Sequence, residues 1–268
     1  MYSAEQLAET GTGDIVFDCR NVSIHFEGAQ EVHTVLEDVA FGARRGEFVS
    51  IVGASGTGKT TLLRILGGLT APGAGSEVMF EGEPVTSPPE GAVFVFQDYR
   101  GSLLPWRTVQ SNIELGLERS SLTRLERRKK AKEALELVGL TGRGGDYPWR
   151  LSGGMQQRVQ IARALAMEPG VLLMDEPFGA LDAMTKATLQ DELLQLHRVT
   201  GTTILFVTHD IDEAVYLSDR VIVLSGAPAK ISADVAIDMP RPRSQVATRE
   251  SAEYLALRHQ VYVAIGHA

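Results

Sequence analysis

The stretch that most constrains this chain is residues 53–60, GASGTGKT, which fit the phosphate-binding loop pattern G-x-x-x-x-G-K-[ST]. An apolar run at residues 47–52 predicts a strand before it, and an amphipathic run from residue 61 predicts a helix after it. Between strand and helix, glycines let backbone N–H groups turn towards a phosphate at a helix N-terminus. The alternative is a glycine-rich turn that fits by chance. We predict that Lys59 reaches the β- and γ-phosphates of a nucleotide and that the Thr60 hydroxyl binds Mg²⁺.

Length and charge narrow the classes of protein that carry such a loop. The 268 residues suffice for one large α/β domain, and the net charge of −8 argues against a broad nucleic-acid-binding surface. The single Cys19 excludes an intrachain disulfide and fits a reducing compartment. We find no signal peptide in the first residues and no apolar run near the ~18 residues of a membrane span. A role in a membrane process would therefore need another chain.

Polar residues follow three further apolar runs. These runs predict strands buried on both faces of a parallel sheet, at residues 92–96, 171–174 and 202–207. Open parallel sheets bind ligands at the carboxyl ends of their strands. Gln97 follows the first run, and Asp175 with Glu176 follows the second. Asp175 suits Mg²⁺, and Glu176 remains to polarise an attacking water, whereas the alternative is a helix-start turn with solvated acids.

The third run ends at His209, at the tip of its strand. His209 is expected either to donate to a γ-phosphate or to form a structural hydrogen bond. Asp210 and Glu213 have the spacing of a capping box, with Asp in place of the usual Ser or Thr. Ser152 is expected to cap another helix, and residues 152–154 form either a cap and turn or a second anion seat. A second anion-binding segment in a chain with one phosphate-binding loop suggests that this segment binds the nucleotide of another chain.

The remaining stretches predict further strands and helices. Residues 15–26 and 35–41 predict two antiparallel strands beside the main sheet, and Phe26 either stacks on a base or packs in the core. Further predictions are a short strand at 77–82, helices at 109–117, 125–138 and 184–199, a last strand at 220–224, a Pro-rich stretch at 226–245 and a closing helix at 246–262. The basic run at 127–132 reads as a solvated helix face, against an anionic-lipid or partner site.

In this order the motifs resemble those of the ATP-binding subunits of ABC transporters, over roughly residues 14–245. The resemblance assigns a family motif to each stretch: the Q-loop to Gln97, the signature to residues 151–156, the end of the Walker B strand to Asp175 and Glu176, the D-loop to residues 179–182, the switch histidine to His209 and the base-stacking aromatic to Phe26. Gly179 departs mildly from the Ser that often begins the D-loop.

Four short stretches, which are less specific than the motifs above, resemble the nitrate, sulfonate and taurine importer branch. They are FQDY at residues 96–99, LLPW at 103–106, DRVIVL at 219–224 and PRP at 240–242. Residues 103–106 either transmit the nucleotide state to a groove that grips a membrane subunit or pack locally.

The resemblance implies an α/β fold: a P-loop NTPase core with a mainly parallel sheet, an antiparallel β subdomain and a helical insertion subdomain. It divides the chain into a flexible lead-in at residues 1–13, an ATPase domain at 14–245 with the helical subdomain at 99–150, and a C-terminal helix in 246–268. It implies catalytic roles for Glu176 as general base, His209 and Gln97, and Mg²⁺ ligation by Thr60, Gln97 and Asp175. The implied nucleotide-binding residues are Phe26, Gly53, Ala54, Ser55, Gly56, Thr57, Gly58, Lys59, Thr60, Thr61, Ser152, Gly153 and Gly154.

The implied function is ATP hydrolysis that powers import of a small anionic solute, such as nitrate, a sulfonate or a taurine-like molecule, through a separate membrane permease. The implied cofactors are ATP and Mg²⁺, and the implied partners are a second copy of the chain, the permease and, indirectly, a solute-binding protein, with no nucleic acid. The resemblance also implies a location at the cytoplasmic face of the cell membrane, as a peripheral protein. The alternative is a soluble ABC ATPase that remodels a protein scaffold without a membrane partner.

Overall fold

The computed structural model describes residues 15–27, 32–179 and 181–266, so the predicted lead-in at residues 1–13 lies outside the described residues. The strands are β1 Ile15–Glu27, β2 Val32–Arg44, β3 Phe48–Val52, β4 Glu77–Phe80, β5 Glu83–Pro84, β6 Ala92–Val95, β7 Val171–Asp175, β8 Thr203–Val207, β9 Arg220–Ser225 and β10 Lys230–Ala236. The α-helices are α1 Lys59–Leu66, α2 Tyr99–Ser102, α3 Val109–Gly116, α4 Arg124–Leu137, α5 Gly153–Ala166, α6 Ala183–Thr200, α7 Ile211–Leu217 and α8 Ala252–Ala264, with a 3-10 turn at Pro148–Arg150.

A six-stranded sheet forms the centre of the fold. Its order is β10-β9-β3-β8-β7-β6, with β10 antiparallel to β9 and the other neighbours parallel. Strands β3, β7 and β8 have five residues each, and all of these residues are buried, as expected for strands covered on both faces. The carboxyl ends of these three strands therefore lie side by side.

One predicted strand differs from this pattern. Residues 92–96 were expected to be buried on both faces, but β6 is an edge strand, with only Val95 buried and Ala92, Val93 and Phe94 half-buried. That prediction was wrong because hydropathy reports how apolar a strand is, not how many neighbours it pairs with.

A second, four-stranded antiparallel sheet has the order β2-β1-β4-β5. The predicted antiparallel pair of strands is confirmed by the β1–β2 ladder, and the short strand predicted at 77–82 is β4. Successive side chains along a strand point to opposite faces, so the central strands supply two cores. Val49 and Ile51 of β3 pack with α1 and the antiparallel sheet, whereas Phe48 and Val52 face the core of the remaining helices. Helix α1 is therefore held between the two sheets.

Between β6 and β7 the described chain is helical or turn. Helices α3 and α4 pack their buried side chains with those of α5 in one core. Asn112 is fully buried and holds the preceding loop, because its amide donates to the carbonyls of Leu104 and Arg107 and accepts from the Leu104 N–H at 2.7 Å. On α4, Lys129 and Lys132 lie on the exposed side and pair with acidic residues four positions later.

The C-terminal part contains elements that the sequence did not predict. β10 lies within the Pro-rich stretch 226–245 and pairs with β9, where Val235 is its buried residue. The closing helix begins at Ala252 rather than at residue 246, because the Ser251 side chain caps it by accepting from the Tyr254 N–H. Among the described residues, no helix combines the length and the apolarity needed to cross a bilayer.

Candidate active site

The loop of residues 53–60 leaves the carboxyl end of β3 and enters α1. Gly58 has a φ of 87°, and an added Cβ at Gly53 would come within 2.5 Å of the Leu224 carbonyl oxygen. Both positions therefore require glycine. Thr57 tightens the turn, since its hydroxyl donates to the Ala54 carbonyl at 2.9 Å. Residues 54–56 are exposed to solvent.

Lys59 lies across this loop. Its ammonium donates to the carbonyls of Gly53 at 3.0 Å and Ala54 at 2.9 Å, and its side chain is buried. Burial lowers the pKa of Lys59, although the nearby carboxylates of Glu176 and Asp175 oppose the shift. Neutral carbonyls are weaker acceptors for an ammonium than phosphate oxygens are, so the residue fits a nucleotide's phosphates.

Thr60 and Asp175 meet next to the loop. The Thr60 hydroxyl donates to Oδ1 of Asp175 at 2.9 Å, and Asp175 ends β7 with 2% of its surface exposed. Burial raises the pKa of Asp175, and the Thr60 bond offsets this in part. No cluster of three or more His, Cys, Asp or Glu that could hold a metal occurs among residues 15–27, 32–179 and 181–266. Mg²⁺ at phosphate sites takes one or two protein ligands with phosphates and waters, so this pair fits Mg²⁺.

Two predicted residues converge on the carboxylate of a third, Glu176, at the ends of β6, β7 and β8. The Gln97 amide donates to Oε2 of Glu176 at 3.1 Å, and His209 Nδ1 lies 3.0 Å from the same oxygen. Glu176 has a φ of 43°, and its N–H donates to the Val207 carbonyl at 2.9 Å. That backbone bond fixes the turn, so the carboxylate projects beside Asp175. A carboxylate so held can orient a water and accept its proton.

Phe26 is near the end of β1 and is 47% exposed, so the alternative that it packs in the core was wrong. The antiparallel sheet that carries it abuts the loop, because a Cβ at Gly58 would come within 2.7 Å of Val35 and 2.9 Å of Leu36. The base-stacking role stays a prediction.

The structure does not bring residues 152–154 to the same place. Ser152 caps α5 by accepting from the Met155 N–H at 3.4 Å, and it is exposed. Helix α5 is attached to β6, since the Gln160 amide donates to the Phe96 carbonyl at 2.8 Å. β6 lies three strands from β3, or roughly 14 Å at the usual spacing of strands. Among the described residues, no hydrogen bond or ion pair joins residues 152–154 to residues 53–60 or to Glu176.

Sequence reasoning missed two residues near the site. Gln160 holds the backbone just before Gln97, and Lys186 bonds to the start of α7. The predicted capping box at that start is only half formed: Asp210 accepts from the Glu213 N–H, but the Asp210 N–H donates to Thr208 rather than to Glu213. The Glu213 carboxylate is engaged by Thr208 and Lys186 instead. Only the tertiary structure reveals these partners.

Comparisons with known proteins give a consistent picture. A family model described as ABC transporter matches residues 36–179. The chain is 46% identical over 232 residues to the nitrate import ATP-binding protein NrtC of Synechococcus elongatus, covering 85% of this chain and 35% of that protein. The chain thus spans about a third of the length of that relative.

Two further comparisons cover nearly the whole of the matched protein. The aliphatic sulfonates import ATP-binding protein SsuB of Bacillus cereus is 46% identical over 224 residues, covering 84% of this chain and 87% of that protein. A solved dimeric post-hydrolysis state of the ATP-binding cassette MJ0796, bound to ADP and Pi, matches with a TM-score of 0.75 and 33% identity, covering 84% of this chain and 100% of that chain.

Proposed function

Because the chain belongs to the ABC transporter family, we propose that it is the ATP-hydrolysing subunit of an importer. Its transported solute is a small anion such as nitrate, a sulfonate or a taurine-like molecule, and the solute crosses through a separate membrane permease. The printed functions of NrtC and SsuB support this solute class. The observation that carries the proposal is the convergence of Gln97 and His209 on Glu176 beside the loop of residues 53–60.

In the proposed site the loop and Lys59 bind the phosphates of ATP, while the exposed Phe26 stacks on the base. The N–H groups of residues 53–61 and the Lys59 ammonium neutralise the β- and γ-phosphate oxygens. Thr60, Asp175 and Gln97 would hold Mg²⁺, which supplies further neutralisation of the phosphate charge. The 2.9 Å bond between Thr60 and Asp175 supports this assignment, because both oxygens already point to one place.

Glu176 is the proposed general base. It accepts a proton from water as the water oxygen bonds to the γ-phosphorus and the bond from that phosphorus to the bridging oxygen of ADP breaks. Gln97 and His209 orient the carboxylate through the bonds described above. His209 also stabilises the negative charge of the transition state.

The catalytic unit is proposed to be a homodimer. Ser152, Gly153 and Gly154 of one protomer cover the nucleotide held by residues 53–60 of the second protomer. This is supported by the separation of these two segments within one chain, and by the dimeric state of the related cassette. Neither half-site is complete alone, so ATP joins the protomers and hydrolysis releases them.

The proposed location is the cytoplasmic face of the membrane, where the permease holds the chain as a peripheral protein and a solute-binding protein delivers the solute. Residues 103–106 are the proposed contact with the permease. Leu103 is buried, whereas Trp106 is 72% exposed, so the segment is anchored at one end and offers an aromatic ring at the other. The net charge of −8 argues against a nucleic-acid partner, because the phosphate backbone is itself negative.

The test is co-purification of the full chain from membranes, followed by ATPase assays with and without the partner. A multi-span partner that alters the ATPase rate supports the importer. A soluble partner, or full activity with none, favours the scaffold-remodelling ATPase. Glu176→Gln is the control, because it separates ATP hydrolysis by this chain from that of a contaminant.

A further inference from the structure

One ammonium group joins the starts of helices α6 and α7. Lys186 is in the first turn of α6, the helix that Asp182 caps. Its Nζ lies 2.7 Å from Oε1 of Glu213 and 3.1 Å from Oδ2 of Asp210, and both carboxylates belong to the start of α7. We call these three residues the Lys186 bridge.

The bridge is a partly buried charge cluster rather than a surface ion pair. Glu213 is 4% exposed, and its second oxygen accepts from the Thr208 hydroxyl at 2.6 Å. Burial raises the pKa of Glu213, although Lys186 opposes the shift. Burial acts to lower the pKa of Lys186, but the bonds to Glu213 and Asp210 raise it overall. Each charge therefore depends on its partners, and removing the ammonium leaves a buried carboxylate beside a second one.

The Lys186 bridge, together with the Thr208 that bonds to its Glu213, lies on both sides of His209. Thr208 precedes it and Asp210 follows it, and the two are tied together, since the Asp210 N–H donates to the Thr208 hydroxyl oxygen at 3.0 Å. The imidazole itself is 62% exposed, with Nδ1 3.0 Å from Glu176. With so much of the ring in solvent, the backbone at residues 208 and 210 sets its position more than packing does.

We propose that Lys186 is a positioning residue for ATP hydrolysis. Its ammonium holds Asp210 directly and Thr208 through Glu213, on the two sides of His209, so that the imidazole reaches Glu176. The inference rests on the proposed function, because it takes His209 to act in hydrolysis. Lys186 lies beyond residues 36–179, the part of the chain that the family model matches.

The test begins with Lys186→Met in the full chain, which removes the charge and keeps the length of the side chain. We expect kcat to fall about tenfold or more, because small displacements of reacting groups have effects of this size. KM for ATP should stay within about twofold, since Lys59 and its loop are untouched. Lys186→Arg should restore kcat to within about threefold, because a guanidinium can bridge both carboxylates. An unchanged kcat in Lys186→Met overturns the proposal.

A matched control separates positioning from general loss of an ion pair. Lys130 has a similarly covered side chain, 26% exposed against 28% for Lys186, and pairs with Glu168. Lys130→Met should leave kcat unchanged. The double variant Lys186→Met with Glu213→Gln removes the stranded buried carboxylate, so it guards against misfolding. We expect it to remain slow because the bridge is still absent, and full recovery of kcat would overturn the positioning role.

A double-variant cycle with His209→Ala gives the decisive readout, measured as single-turnover ATP hydrolysis. If Lys186 acts through His209, then Lys186→Met adds no further loss in the His209→Ala background. A full additional loss there overturns the inference while leaving the proposed role of His209 intact. Wild-type hydrolysis by His209→Ala alone would instead remove the role of His209, and the inference with it.

Discussion

Two helices between β6 and β7 start with nearly the same backbone geometry, but their first turns differ in the groups that satisfy the helix N–H groups. Thr123 caps α4 with φ −65° and ψ 161°, and Ser152 caps α5 with φ −64° and ψ 161°. In α4 the Glu126 carboxylate accepts a reciprocal hydrogen bond from the Thr123 N–H at 2.7 Å, which completes a capping box. In α5 the equivalent position is Met155, which has no carboxylate to accept from the Ser152 N–H. The two residues before it are Gly153 and Gly154.

The difference shows how a helix start becomes available to a ligand. The hydrogen bonds from Thr123 lower the pKa of Glu126, which keeps an anion of the chain's own at the positive end of α4. At α5 the two glycines carry no side chain that could cover the first N–H groups. The α4 start is therefore satisfied internally, whereas the α5 start suits an anion from outside, which the proposed function identifies as ATP on a second protomer.

The largest expected effect concerns the general base, a function that neither helix start supplies. Glu176→Gln removes the general base and keeps the shape of the side chain. We expect kcat to fall by about 10²–10⁴-fold with ATP binding retained, because a positioned base contributes that much. ATPase assays and size-exclusion chromatography with ATP should reveal an inactive, long-lived dimer. Near-normal turnover would exclude Glu176 as the base.

The next effect tests the open start of α5. Ser152→Arg places a bulky side chain where the second protomer's nucleotide is proposed to bind. We expect the ATPase rate to fall about a hundredfold, as on removal of one electrostatic contact to the transition state. ATP binding to a single protomer should persist in equilibrium dialysis, while the ATP-dependent dimer disappears. An unchanged ATPase rate would argue against the shared site.

A third helix end extends the comparison from N–H groups to carbonyls. The Arg243 guanidinium is buried and donates to the carbonyls of Tyr216 and Ser218, both at 2.8 Å, at the C-terminus of α7. Burial lowers the pKa of Arg243 to about 10, so it stays charged at neutral pH. Arg243→Met should lower the free energy of unfolding by about 3 kcal/mol, because buried carbonyls lose their donor. A loss below about 1 kcal/mol in urea unfolding would mean that the carbonyls find other partners.

The smallest effect separates the two caps directly. Thr123→Ala should lower the free energy of unfolding by about 1 kcal/mol and leave the ATPase rate unchanged, because its capping box is purely internal. Ser152→Ala should destabilise the fold less, since Ser152 makes a single cap bond where Thr123 and Glu126 bond reciprocally, yet it should slow hydrolysis. Urea unfolding and ATPase assays on both variants measure the contrast. Slower hydrolysis in Thr123→Ala would break the comparison.

Much of the fold and of the site could be predicted from local sequence. The loop at residues 53–60 and the caps at Ser152 and Asp210 follow from residues a few positions apart, which the backbone brings together in any fold. The strands β7 and β8 could be predicted because a run of four apolar residues between polar residues is typical of a short buried strand. The polar residues after them were expected at one edge of the sheet, and Gln97, Glu176 and His209 do meet there.

The sequence by itself thus determined strands β7 and β8, the caps at Ser152 and Asp210 and the polar side chains that follow the strands, because those features depend on neighbours along the chain. The tertiary structure alone decided that β6 is an edge strand, that β10 pairs with β9 and that Glu213 bonds to Lys186 rather than closing a capping box. Each of these depends on a partner distant in sequence, and the energy of a hydrogen bond or ion pair depends on distance and burial in space. Hydropathy and spacing contain neither quantity.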